Sequence, residues 1–216
     1  MIIRATLIFK WLYIGVVALV LVGACSAPGT PTRPAIRNVF VIVMENKTPE
    51  QALSGSYLAF LAGRYGLAEN YAAITHPSVP NYLALTSGQT WGVTDDSYHL
   101  LPTQDLGHQL TSAGVPWGAY MEGLGPAGCI DTPPPYDPGH NPFAFYGGAC
   151  PPNVVPLTAL QADMSDATKR LYWITPDMCH DTHDCPVATG DAPKRISRKN
   201  QTHFPRNASA SSSENE

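Results

Sequence analysis

The chain lacks the basic surplus that long-range attraction to nucleic acid requires. Its 13 Lys and Arg are outnumbered by 17 Asp and Glu, and the formal net charge at pH 7 is -4. A phosphate backbone is not drawn to such a surface, so nucleic acid is excluded as a partner and a nucleotide enters only as a small substrate. Also missing is an apolar run of transmembrane length. The leading stretch, "WLYIGVVALVLVGA" from Trp11 to Ala24, holds 14 residues, against the roughly 20 that a bilayer core needs. There is no G-x-S-x-G nucleophile elbow, which removes the local signature of a serine esterase, and no internal repeat, which removes solenoids and propellers.

What the N-terminal stretch does offer is an export signal. Arg4 and Lys10 precede the apolar run, small residues Gly23 and Ala24 precede Cys25, and the polar, proline-rich "SAPGTPTRP" follows. Residues 1–24 read as a signal peptide, Cys25 as the lipidated first residue of the mature chain and 25–36 as a linker. The expected address is the extracytoplasmic side of the cell membrane, with the membrane a partner through the lipid anchor. A cleaved, secreted protein and an uncleaved anchor are the alternatives. Four cysteines then remain, Cys129, Cys150, Cys179 and Cys185. An even number in an exported chain argues for disulfides. Proximity favours Cys129 with Cys150 and Cys179 with Cys185, although four cysteines allow three connectivities. The ligand types in "CHDTHDC" also permit structural zinc, and a zinc-binding module built on His180 and His183 is a further reading.

Along residues 37–191 strands alternate with helices. "NVFVIVMEN" (Asn38 to Asn46) is a nearly continuous apolar, largely β-branched run, the pattern of a strand buried on both faces of a parallel sheet. Helical spacing follows in "PEQALSGSYLAFLAGRYG", in "NYLALTSG" after Ser78, in "DLGHQLTSAG" and in "LTALQADM", with further strands in "VPWGAYME" and "RLYWITP". Such alternation predicts an α/β fold with a mostly parallel sheet flanked by helices. In such folds ligands bind beyond the carboxyl ends of the strands. There the chain places Glu45 and Asn46, then Glu122, then Asp177, His180, Asp181, His183 and Asp184. Carboxylates and imidazoles converging on one rim suit a divalent metal ion and a phosphate.

"THPSVPNY" allows two readings of Ser78. As a helix N-cap its hydroxyl accepts orphan amides of the first turn. As a nucleophile it uses the same helix N-terminus, whose amides and dipole hold an anion against it. His76 is too near in sequence, across Pro77 alone, to act as its base. A metal ion that acidifies the coordinated oxygen removes the need for one.

Four ordered segments, "VFVIVMENKTPEQ", "NYAAITHPSVPNYLALTSG", "HNPFAFY" and "LYWITPDMCHDTHDC…TGD", resemble the bacterial and fungal phosphoesterase family of acid phosphatases and phosphatidylcholine-type phospholipases C. That family is related in fold to alkaline phosphatase. The resemblance implies a metal-dependent hydrolase of phosphomonoesters working through a phosphoserine. It places Ser78 as nucleophile and His183 as a second catalytic residue, with Glu45 and Asn46 holding a divalent cation. Asn46, Asn81, His140, Asn141 and Asp184 then meet the substrate.

Past Asp191 the likeness stops. Residues 192–216 carry Lys194, Arg195, Arg198, Lys199 and Arg206 with almost no apolar periodicity, so a disordered tail is expected. On this reading the domain is truncated at its C-terminus, with an incomplete sheet, an unpaired apolar edge and a half-built metal site that cripples the activity. The alternative is a noncatalytic, truncated surface lipoprotein that retains the front half of the fold.

Overall fold

The computed structural model describes residues 37–166 and 168–191. The expected signal peptide, lipidated Cys25, linker and disordered tail lie outside the described residues. Among those described, no helix is long and apolar enough to cross a membrane.

Four strands form one all-parallel sheet, as the β/α alternation predicts. In chain order come β1 (Val39–Ile42), α1 (Pro49–Ala52), α2 (Ser56–Arg64), α3 (Ser78–Ser87), α4 (Leu106–Ser112) and β2 (Trp117–Met121). They are followed by α5 (Gly128–Asp131), 3-10 turns at Pro138–His140 and Pro142–Phe145, β3 (Val154–Pro156), α6 (Leu160–Asp166), β4 (Leu171–Thr175) and α7 (Val187–Gly190). The strand order is β1-β4-β2-β3. Ile174 of β4 sits opposite Ile42 of β1 on one side and Tyr120 of β2 on the other. β4 is thereby central, and the ends of β1, β4 and β2 lie side by side at one rim.

Three expectations need correction. The first strand is not buried on both faces: it is the sheet's edge, and Ile42 is 59% exposed. Continuous apolar sequence marks a buried strand only where neighbours cover it, and among the described residues β1 is paired on one side alone. The long helix expected over 49–66 is two helices. α1 starts in a capping box between Thr48 and Gln51. α2 starts anew after Gly55, its Tyr57 and Leu58 amides donating to the Asp191 carboxylate at 2.9 and 2.8 Å. A distant acid thus supplies the cap that local sequence does not, and the chain breaks there. The short β3 went unrecognised, because three residues ending in proline carry almost no periodic signal.

Two apolar clusters flank the site. One joins the sheet residues Trp117, Met121 and Trp173 to Phe143. The other lies under α3 and joins Val79 and Leu83 to Phe145 and Tyr146. "HNPFAFY" reaches both clusters, so burial of its aromatics fixes where His140, just ahead of them, must stand.

Candidate active site

Ser78 is the first residue of α3 rather than its cap. Pro77 takes the capping position with extended backbone angles, and no side-chain capping bond is made from it. The Val79 amide instead donates to Asp96 Oδ1 at 3.0 Å, so a loop carboxylate does the capping work expected of the serine. Ser78 Oγ is left to turn outward from the helix end, where it donates a hydrogen bond to Glu45 Oε1.

Glu45 arrives from the end of β1 and is held by backbone. Its N–H donates to the Asp181 carbonyl at 2.7 Å, and its carbonyl accepts from Thr182 Oγ1 at 3.0 Å. Asn46 follows with φ 56°, in the left-handed region that asparagine tolerates better than most residues. The turn from strand to helix is thereby tied to the segment after β4.

His140 is the buried imidazole of the site, 4% exposed. Its Nδ1 lies 3.0 Å from Asp181 Oδ2 and its Nε2 lies 3.7 Å from Glu45 Oε1. The ring stacks on Tyr82 at 4.9 Å, one turn along α3 from Ser78, and lies 5.8 Å from the ring of His183. Burial pulls the His140 imidazole down, but the Asp181 hydrogen bond and the charges of Glu45, Asp137 and Asp181 outweigh it and hold its pKa above the ordinary value. The Tyr82 hydroxyl is buried without a partner and is pushed well up, by burial first and then by Glu45, Asp181 and Asp137.

Asp181, which the sequence places at the rim without a role of its own, holds the site's histidines together. It is fully buried, and its Oδ1 accepts the His183 amide at 2.7 Å while Oδ2 meets His140. The available signal was its place between two histidines in "CHDTHDC". His183 reaches Asp184 Oδ1 with Nδ1 at 2.8 Å.

Two residues expected to meet the substrate also make contacts within the fold. Asn81 accepts from the Ile74 and Thr75 amides at 2.8 and 3.2 Å and donates to the Thr75 and Pro77 carbonyls at 2.8 and 2.9 Å. It holds the loop leading into Ser78. Asn141 is fully buried and donates to the Tyr136 hydroxyl at 2.9 Å, which in turn donates to the Cys129 carbonyl at 2.7 Å.

The cysteines pair as proximity favours, Cys129 with Cys150 and Cys179 with Cys185. Zinc on the thiolates of "CHDTHDC" is overturned, because the two sulfurs bond each other. The module built on His180 and His183 is not assembled either. His183 turns to Asp184, whereas His180 turns to Glu122 and Asp177. Glu122, Asp177 and His180 are a group of described residues able to hold a metal ion, their donor atoms all within 4.8 Å of one another. Glu45 offers a carboxylate beside Ser78, and Asn46, next in the chain, carries a carboxamide oxygen; both are donor types that suit a hard divalent cation.

Comparison with known proteins identifies the family. A family profile described as "Phosphoesterase family" matches residues 43–195. An acid phosphatase of Aspergillus fumigatus is 28% identical over 174 residues, which cover 72% of this chain and 38% of the relative. A phosphate-repressible acid phosphatase of Penicillium chrysogenum is 30% identical over 160 residues, covering 68% and 39%. A phosphatidylinositol-3-phosphatase of Mycobacterium tuberculosis is 29% identical over 168 residues, covering 74% and 56%. The match thus takes in about two fifths of the fungal relatives' length and just over half of the mycobacterial one.

Proposed function

The chain belongs to the phosphoesterase family, and we propose that it hydrolyses phosphomonoesters by way of a phosphoserine at Ser78. The observation that carries this reading is the hydrogen bond from Ser78 Oγ to Glu45 Oε1, which joins the first turn of α3 to the end of β1. A hydroxyl that attacks phosphorus in line must lose its proton, and a carboxylate already accepting that proton's hydrogen bond is placed to take it. Oγ–P forms, the bond from phosphorus to the ester oxygen breaks, and a proton goes to the leaving oxygen from His183, packed beside His140. Water then attacks the phosphoserine, phosphate departs and the serine regains its proton. Asp181 at Nδ1 fixes the His140 tautomer and turns Nε2 toward Glu45.

Glu45 and Asn46 would hold a divalent cation, which would supply the positive charge that a phosphoryl group needs at an acidic rim. His140, His183 and Asp184 line the substrate side of this reading. Two disulfides among the described residues support an oxidising, extracytoplasmic location, with Cys25 as the lipid anchor to the membrane. The natural substrate is a small phosphoester. The phosphatidylinositol-3-phosphatase among the relatives makes a phosphorylated lipid headgroup the second substrate to assay.

The test is turnover of p-nitrophenyl phosphate by the purified protein with added divalent metals, beside Ser78→Ala. The wild type is expected to turn over and the variant to lose about a thousandfold or more. Equal turnover in both, or none with any metal, leaves the noncatalytic surface lipoprotein as the surviving reading.

A further inference from the structure

The second and fourth strands end on a donor set that shares no residue with the serine site. Glu122 directly follows β2, and Asp177 and His180 follow β4. His180 Nδ1 stands 3.1 Å from Glu122 Oε2 and 3.0 Å from Asp177 Oδ1. At those distances a hydrogen bond is expected, yet none is made: Nδ1 has no accessible surface and no hydrogen-bond partner. The carboxylate oxygens lie at the right distance but off the N–H direction. Nδ1 therefore meets both carboxylate oxygens at ion-pair distance without an aligned hydrogen bond, on a side chain that is 34% exposed.

The same arrangement is natural for three donors turned on one cation. Ligands about 2.0–2.1 Å from a tetrahedral or octahedral ion stand roughly 2.8–3.4 Å from each other; the two His180 Nδ1 distances fall in that range, and all three donor atoms lie within 4.8 Å of one another. The donors are also held in place by backbone. Asp177 Oδ1 accepts from the Cys179 and His180 amides at 3.1 and 2.9 Å, and Glu122 Oε2 accepts from the Asp177 amide at 3.2 Å. Two amides fill the acceptor sites of Asp177 Oδ1, and a cation would engage the acceptor sites that remain on the two carboxylates. Two carboxylates with one imidazole favour a zinc-type ion over magnesium or calcium, which prefer oxygen alone.

We propose that Glu122, Asp177 and His180 form a structural binding site for a zinc-type divalent cation, separate from the Ser78–Glu45 centre. The ion ties the end of β2 to the segment closed by the Cys179–Cys185 disulfide. That segment carries Asp181, so the ion steadies the group that orients His140. The proposal does not depend on the chain being a phosphatase.

The experiment uses the full chain stripped of metal by chelation, titrated with zinc ion by equilibrium dialysis and with cobalt(II) by visible absorption. Glu45→Gln, which removes the carboxylate proposed to hold a cation at the serine centre, is expected to retain one zinc per chain and the cobalt bands of nitrogen and oxygen ligation. Added to Glu45→Gln, His180→Ala and the near-isosteric Glu122→Gln are each expected to lose that equivalent, or to bind it at least tenfold more weakly, with unchanged circular dichroism. In the wild type and in Glu45→Gln alike, zinc is expected to shift the His180 ring resonances. No zinc bound by Glu45→Gln, retention of the equivalent after both added substitutions, or unmoved His180 resonances each overturns the proposal.

Discussion

His140 sits where burial and charge oppose each other, and charge prevails. Its folded pKa is raised, through Asp181, Glu45 and Asp137, against the effect of burial. The sign of the linkage follows. A histidine raised on folding contributes stability in full below its unfolded value of about 6.5, and that contribution is lost as pH climbs through the higher folded value. In metal-free protein, denaturant midpoints of wild type and His140→Gln are therefore expected to differ more at pH 5.5 than at pH 8.5. A gap that widens with pH rules this out. The Ser78 hydroxyl belongs to the same scale: its bond to Glu45 depends on Asp96 doing the capping, which relieves the serine of that duty.

At the scale of elements, the "TGD" segment shows how a short motif serves architecture. A Cβ on Gly190 would lie 2.3 Å from the His180 carbonyl oxygen and 2.6 Å from Thr182 Cγ2, so only glycine lets α7 pack against the segment that carries Asp181. The next residue, Asp191, caps α2 across 133 positions of sequence, with Leu58. Asp191→Ala is expected to lower unfolding stability by about 1 kcal/mol, the usual worth of a helix cap. The loss should appear as a reduced urea midpoint with an unchanged m-value.

At the scale of the molecule, two cross-links and one open edge stand out. Cys129 and Cys150 are 21 positions apart and Cys179 and Cys185 only 6. In the chain-entropy model these closures are worth about 3 and about 2 kcal/mol. The double variant Cys129→Ser, Cys150→Ser is expected to lose more stability than Cys179→Ser, Cys185→Ser. The second pair's removal should instead fall on the His183 resonances and on turnover, measured by NMR and by phosphatase assay. The exposed β1 edge presents Val39, Phe40 and Ile42. Such an edge invites pairing with other chains, so Ile42→Lys is expected to reduce concentration-dependent association in sedimentation velocity while leaving circular dichroism unchanged.

Much of this was legible in the residues themselves. Local patterns carry local decisions: the apolar runs at 117–121 and 171–175, the helical spacing after Ser78 and the pairing of near cysteines all reappear in the structure. Strand ends rich in acids and imidazoles marked the rim before its geometry was known, and Glu45 does meet Ser78 there. Long-range order decided the rest. Which strand becomes the edge, that Asp96 and Asp191 cap helices they do not adjoin, and that His180 turns to Glu122 and away from His183 depend on contacts between residues far apart in sequence. Periodicity records only what each segment can bury, whereas the partner that buries it is chosen when the sheet and its two apolar clusters come together.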